Sequence, residues 1–186
     1  MPSSQSYYIP DVLELIHGLP HRSILDVGPG FGKYGVLCRE YFDLIPTWFE
    51  KGLSGFDQRN WQLRIDCIEP FEEYITPLHK YIYDNIYLGK AEDLIDEIPN
   101  YDLILILGVI EHLEKGVGLN LLKKYKDKTK AIVLVTPNGF HPQGPEWNNP
   151  LEEHKSGWTV KDLEGLDFKC SPLPPGNKII AYYKGS

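Results

Sequence analysis

Two groups of residues in this chain have the types and spacing to do chemistry. The first is Gly28, Gly30 and Gly32, in "SILDVGPGFGKYG", directly after a short apolar run. Glycines at a turn between a strand and a helix let backbone N–H groups and a helix N-terminus approach a ligand closely, which suits a nucleotide-like group. Asp26 lies inside the run just before them, and Glu69 closes a second run, "LRIDCIE". A carboxylate at that edge can accept both hydroxyls of a ribose. The ring of Phe71, two residues on, offers a surface for a flat ligand. The second group is Glu111 and His112, past the apolar run "YDLILIL", with His154 on a long polar segment further along. Histidine titrates near neutrality and serves as a proton acceptor. Two histidines and a carboxylate are also a set that can hold a divalent ion.

The elements needed to position these residues are legible in the pattern. "SILDV" (23–27), "LRIDCIE" (63–69), "IYL" (86–88), "YDLILIL" (101–107) and "AIVLV" (131–135) read as strands. The fourth and fifth lack alternation, as strands covered on both faces do. Between them, Tyr34, Leu37, Cys38 and Tyr41 fall at the spacing of an amphipathic helix. Thr76 and Pro77 open another helix, "AEDLI" (91–95) is a turn or two, and "EHLEKGVGLNLLKKY" is a helix weakened by Gly116 and Gly118. A first helix starts near Pro10 and stops at Gly18 and Pro20, after a loose tail over 1–8. Residues 43–62 read as irregular, and 136–157 as a long loop that faces an acceptor. Thr159 and Asp162 form a capping box for a last short helix. Strands near 166–171 and 178–183, joined by "PLPPGN", form an antiparallel hairpin. Alternating strands and helices imply right-handed crossovers and a parallel sheet, hence an α/β, doubly wound, three-layer architecture.

Composition sets the bounds. A chain of 186 residues supports one sizeable core, so residues 1–186 are expected to form a single domain. The three cysteines are far apart and form no CxxC pair, so neither a disulfide framework nor a zinc knuckle is expected. No apolar stretch is long enough to span a bilayer, and the N-terminus lacks the pattern of a signal peptide. A cytoplasmic protein is the expectation. The net charge of −7 weighs against a nucleic-acid partner. The basic run "KKYKDKTK" (123–130) reads as the cation-rich end of a helix.

"LDVGPGFG", Glu69, "KAEDL", "YDLILILGVIEHL" and "AIVLVTPNG", in that order, resemble the motifs of the class I S-adenosylmethionine-dependent methyltransferases. "TPNG" followed by "HKSGW" is similar to a bacterial subgroup of that family associated with cell-surface glycans and other small acceptors. The resemblance covers residues 22–184. It implies a Rossmann-like seven-stranded, mostly parallel sheet in the order 3-2-1-4-5-7-6, with S-adenosyl-L-methionine as cofactor. It further implies that Asp26, Gly28, Gly30 and Gly32 shape the methionine end of the site, that Glu69 holds the ribose, and that Phe71, Ala91, Glu92 and Leu107 line the adenine or sulfonium side. Glu111 would then meet the methionine end, and His112 and His154 would stand at the acceptor. Two departures are Pro29, where Cys or Ser is common, and Lys90, where Asp is common.

The function this implies is methyl transfer to a small-molecule or glycan acceptor, at oxygen. The methyltransferases of small-RNA 3′ ends carry E-x-x-E-H after the fourth strand. Here Gly108 replaces the first Glu, so a metal-assisted RNA 2′-O-methyltransferase is the lesser reading and no metal is expected. A cofactor-binding partner subunit without chemistry of its own is the other alternative. A dinucleotide-dependent dehydrogenase is disfavoured, because the third glycine falls one place short of G-x-G-x-x-G and Lys33 takes its position.

Overall fold

Seven strands make one sheet in the order β3-β2-β1-β4-β5-β7-β6 in the computed structural model, which describes residues 5–173 and 177–185. The strands are β1 Ser23–Val27, β2 Arg64–Glu69, β3 Asn85–Leu88, β4 Tyr101–Leu107, β5 Thr129–Pro137, β6 Lys169–Leu173 and β7 Lys178–Lys184. Strands β1 to β5 pair in parallel, and β7 runs antiparallel to both β5 and β6. This is the expected hairpin and order, although most of the linking turn, 174–176, lies outside the described residues, as do residues 1–4 of the expected tail. Pro172 is tolerated in β6 because that strand is an edge.

Side-chain alternation along the strands divides the core into two layers. On one face, Ile24, Leu103, Leu105, Val133 and Val135 pack with α1 (Ile9–His17), α2 (Lys33–Arg39) and α4 (Pro77–Ile82). On the other, Leu25, Val27, Ile104, Ile106, Ile132 and Leu134 pack with α5 (Ala91–Leu94), α6 (Lys115–Lys128) and α7 (Val160–Glu164). The remaining helix, α3, spans Ile45–Lys51. In the register, Val27 stands beside Ile68 and Ile106, Glu69 beside Leu88, and Leu107 beside Val135. The C-terminal ends of β1 to β5 therefore converge on one edge.

Several boundaries differ from the sequence reading. The tail does not stay loose up to residue 8. Ser6–Tyr8 form a 3-10 turn, and Tyr8 is buried in the core beside α1. Residues 43–51 are helical, not irregular: α2 continues through a π-type turn, Glu40–Leu44, into α3. Pro46 is the second residue of α3, directly after the π-type turn. Tyr41, expected on the apolar face, is exposed. The helix expected from Glu111 begins at Lys115 instead, and Ile110–His112 form a separate 3-10 turn. β5 extends through Pro137, so the long loop starts at residue 138. The basic run closes α6 as expected, with Lys126 and Lys128 in its last turn.

The α2–α3 passage is held by a buried arginine. Arg39, 1% exposed, donates to Asp43 at 2.8 Å, to Asp84 at 2.8 Å, to the Ile82 carbonyl at 3.0 Å and to the Leu63 carbonyl. Its guanidinium lies 4.4 Å from the centre of the Trp61 ring. Asp43, also buried, accepts from the amides of Gln62 at 2.8 Å and Leu63 at 3.3 Å. Removing one partner of such a pair leaves the other charge buried and uncompensated. Arg39→Ala is therefore expected to lower stability by about 3–5 kcal/mol in urea unfolding. Arg39→Met combined with Asp43→Leu is expected to lose less, because no buried charge is stranded.

Candidate functional site

A cavity of about 320 Å³ opens at the converging strand ends. One wall is the glycine turn between β1 and α2. Gly28, Gly30 and Gly32 have φ of 66°, 56° and 85°, the left-handed region that L-residues rarely adopt. A Cβ on Gly28 would meet the Cγ2 of Val109 at 2.7 Å, so a side chain is excluded there on steric grounds as well. Gly28, Pro29, Gly30 and Phe31 border the cavity, whereas Gly32 caps α2 and faces the His79 ring instead.

Asp26 borders the cavity from below the turn. It accepts a 2.7 Å hydrogen bond from the Tyr83 hydroxyl and another from the Gly35 amide. Burial raises its pKa to about 6 against the opposing effect of those bonds. Gly35 has no room for a side chain, since a Cβ would fall 2.5 Å from the Tyr83 ring.

Glu69, at the end of β2, is 4% exposed and points into the cavity. Its Oε1 accepts from the Phe71 amide at 2.9 Å, and its Oε2 has no hydrogen-bond partner among the described residues. Burial pushes its pKa up to about 7. The ring of Phe71 does not border the cavity. It packs edge-on against Tyr74, with centroids 4.8 Å apart, and Pro70 takes the place expected for it. Phe71 serves through its backbone, because the 3-10 turn that follows, Glu72–Tyr74, carries the ring away. Ala91, Glu92 and Leu107 border the cavity.

The far wall is built on the 3-10 turn after β4. Glu111 is buried; its Oε2 accepts from the Thr136 hydroxyl at 3.1 Å, and burial raises its pKa. Its backbone carbonyl takes the amides of Lys155 at 2.8 Å and Ser156 at 3.1 Å. The long loop is thereby brought back to β4, and His154 reaches His112 with ring centroids 4.8 Å apart. His112 contacts the Glu153 carbonyl through Nδ1 at 3.3 Å, and His154 contacts the His141 carbonyl through Nδ1 at 2.6 Å. A carbonyl can only accept, so each neutral ring carries its proton on Nδ1 and keeps a lone pair on Nε2. Burial holds the pKa of His112 below the usual histidine value. One ligand atom from each of Glu111, His112 and His154 lies within 4.8 Å of the others, and ring N–H groups donated to carbonyls are the usual support of metal-bound histidine.

The structure adds residues that the sequence reading missed. Glu152, on the loop, accepts from Tyr74 at 3.1 Å and from Asn149 at 3.4 Å, and lines the cavity with Glu69. Tyr8, Lys33 and Lys178 also border it. None lies in a local pattern, and only the folding of distant segments brings them in. Of the loop tryptophans, Trp158 is core: its ring fills the space left by Gly118, and its Nε1 donates to the Ile110 carbonyl at 3.2 Å. Trp147 is half exposed at the cavity rim.

No protein-family model and no curated protein sequence matches this chain. Solved structures do. A SAM-dependent methyltransferase from Archaeoglobus fulgidus is 16% identical with a TM-score of 0.63, over 94% of this chain and 91% of that one. The N-terminal domain of EvdMO1, solved with S-adenosylhomocysteine (SAH) bound, is 14% identical with a TM-score of 0.66, over 98% of this chain and 83% of that one. A candidate O-methyltransferase from Nostoc punctiforme is 16% identical with a TM-score of 0.56, over 92% of this chain, which spans only 54% of that protein. At such identities the likeness is one of fold: this chain has the Rossmann-like fold of S-adenosylmethionine-dependent methyltransferases.

Proposed function

We propose that this chain is a methyltransferase that uses S-adenosyl-L-methionine to methylate a hydroxyl of a small-molecule or glycan acceptor. The observation that carries the reading is one cavity with a buried carboxylate, Glu69, at one end and the paired rings of His112 and His154 at the other. Glu69 offers an open Oε2 beside a glycine turn that admits no side chain at Gly28, which fits a nucleoside with an extended tail. When bound, the cofactor supplies an activated methyl on a sulfonium.

The chain's part is to align and to move a proton. Glu69 accepts from the ribose hydroxyls, and Ala91 and Glu92 stand at the adenine end. Asp26 and the glycine turn receive the methionine end. Residues at the end of β4, with the 138–157 loop, hold the acceptor oxygen in line with the methyl. His112 or His154 would take the acceptor's proton on Nε2. A neutral His112 is the form required, and its burial favours that form. The net charge of −7 supports a small acceptor over an RNA end.

A second reading of the same residues is favoured by their spacing: a divalent ion held by Glu111, His112 and His154 would orient the acceptor oxygen and lower its pKa. The ion would use the same two Nε2 atoms, so general-base and metal roles for them exclude one another.

Three outcomes follow. Glu69→Ala is expected to weaken SAH binding by about 1.5–3 kcal/mol in calorimetric titration, the range for hydrogen bonds to a charged group. Unchanged affinity removes Glu69 from the site. The pH dependence has a definite sign. Because the folded-state pKa of Glu69 is raised to about 7, the folded protein binds the extra proton, and its contribution to stability is lost as pH rises through 7. The thermal midpoint of the ligand-free protein is expected to fall less steeply between pH 5 and 8 in Glu69→Gln than in the parent, while SAH affinity of the parent rises over the same interval. Finally, in a turnover assay with a hydroxyl acceptor, His112→Ala and His154→Ala are expected to cost about tenfold or more in rate with SAH binding retained. Indifference to EDTA supports the general-base reading, and loss of activity restored by Mg²⁺ or Mn²⁺ supports the metal reading.

A further inference from the structure

His79 stands outside the cavity and does no chemistry there, yet its bonds fix the backbone of the glycine turn. It is fully buried in the first turn of α4. Its Nδ1 lies 3.2 Å from the Thr76 amide and 2.9 Å from the Thr76 hydroxyl, and its Nε2 lies 2.9 Å from the Gly30 carbonyl. An amide N–H can only donate and a carbonyl can only accept. The two contacts therefore require the same state: a neutral ring, bare at Nδ1 and protonated at Nε2. The ring is stacked on Tyr83, with centroids 5.9 Å apart, and Tyr83 in turn holds Asp26. Helix α4 and the residue that follows it thus reach the turn through two side chains, Tyr83 on the carboxylate below it and His79 on its backbone.

The peptide group is planar and trans, so the carbonyl of Gly30 and the amide of Phe31 point in opposite directions. His79 turns the Gly30 carbonyl toward α4, away from the cavity. Gly30 and Phe31 border the cavity and His79 does not. The Phe31 N–H therefore points away from α4, and among the described residues it has no backbone acceptor.

We propose that His79 is a positioning residue that locks the Gly30–Phe31 peptide in the ligand-receiving orientation, so that the Phe31 N–H is a ready donor to an anionic or carbonyl-type group at the methionine end of the ligand. This rests on the reading of the cavity as the cofactor site. It is distinct from the helix-capping role of His79, because that role uses only Nδ1.

His79→Asn separates the two. The asparagine Oδ1 stands as many bonds from the backbone as Nδ1 and accepts from the Thr76 amide, whereas its NH2 ends short of the Nε2 position and does not reach Gly30. The experiment is titration of the parent and His79→Asn with SAH, together with thermal unfolding and the ¹⁵N–¹H spectrum of the ligand-free proteins. For His79→Asn, SAH affinity is expected to fall about three- to tenfold, the worth of one hydrogen bond. The unfolding midpoint is expected to fall by about 2–4 °C, because the buried Gly30 carbonyl loses its donor. The Phe31 amide resonance is expected to shift or broaden. Thr76→Ala, which loses the cap, is expected to show a comparable fall in midpoint with affinity kept. If the parent binds SAH and His79→Asn binds it equally, or if Thr76→Ala loses as much affinity as His79→Asn, the positioning role is overturned while the cofactor reading stands. If the parent itself does not bind SAH, the cofactor reading fails and takes this inference with it.

Discussion

A carboxylate buried at the end of a central strand is the constraint around which this site is arranged. Asp26 is 3% exposed, and a carboxyl group in that position is costly unless its oxygens are matched. The Tyr83 hydroxyl and the Gly35 amide supply the match, and in doing so they tie β1, α2 and α4 into one body. The approach is possible only because position 35 lacks a side chain. The glycine turn is the short connection over this joint. Its left-handed residues would be a loose hinge in isolation; here they rest on a carboxylate, a tyrosine and a histidine that have nowhere else to go.

The opposite wall depends on a second buried acid. Glu111 follows β4 in a 3-10 turn, and its carboxylate is held by Thr136 from β5. Its carbonyl receives two consecutive amides of the long loop, and Trp158 seals the return by packing into the gap at Gly118. Anchored in this way, the loop does two things at the cavity. It carries His154 to His112, and it carries Glu152 to Tyr74, near the edge where Glu69 lies. The two ends of the cavity are thus bridged by one loop.

Burial also sets the electrostatic character of the cavity. It raises the acids Asp26, Glu69, Glu111 and Glu152 and lowers His112, so every group named moves toward its neutral form. A neutral histidine is the form that accepts a proton.

How far the sequence specified this protein follows from the range of the forces involved. Strand and helix identity comes from periodicity over a few residues, and the order of strands from short, right-handed connections. Both are written locally, which is why the sheet order, the turn glycines, Glu69 and the converging strand ends were legible. The readings that failed are those decided over long separations. Pro46 and the glycines after it suggested irregular chain over 43–62. A buried Arg39 instead fastens the α2–α3 passage to Asp43, Leu63 and Ile82, and a local reading does not contain that bond. Phe71 has the right type and place for a ligand surface, yet packing on Tyr74 turns its ring aside. The pairing of His79 with Gly30, of Tyr83 with Asp26 and of Glu152 with Tyr74 joins residues 49, 57 and 78 positions apart. Such contacts depend on which faces the sheet brings together. The sequence alone determined at which edge the strand ends converge; only tertiary packing decided which side chains shape the cavity there.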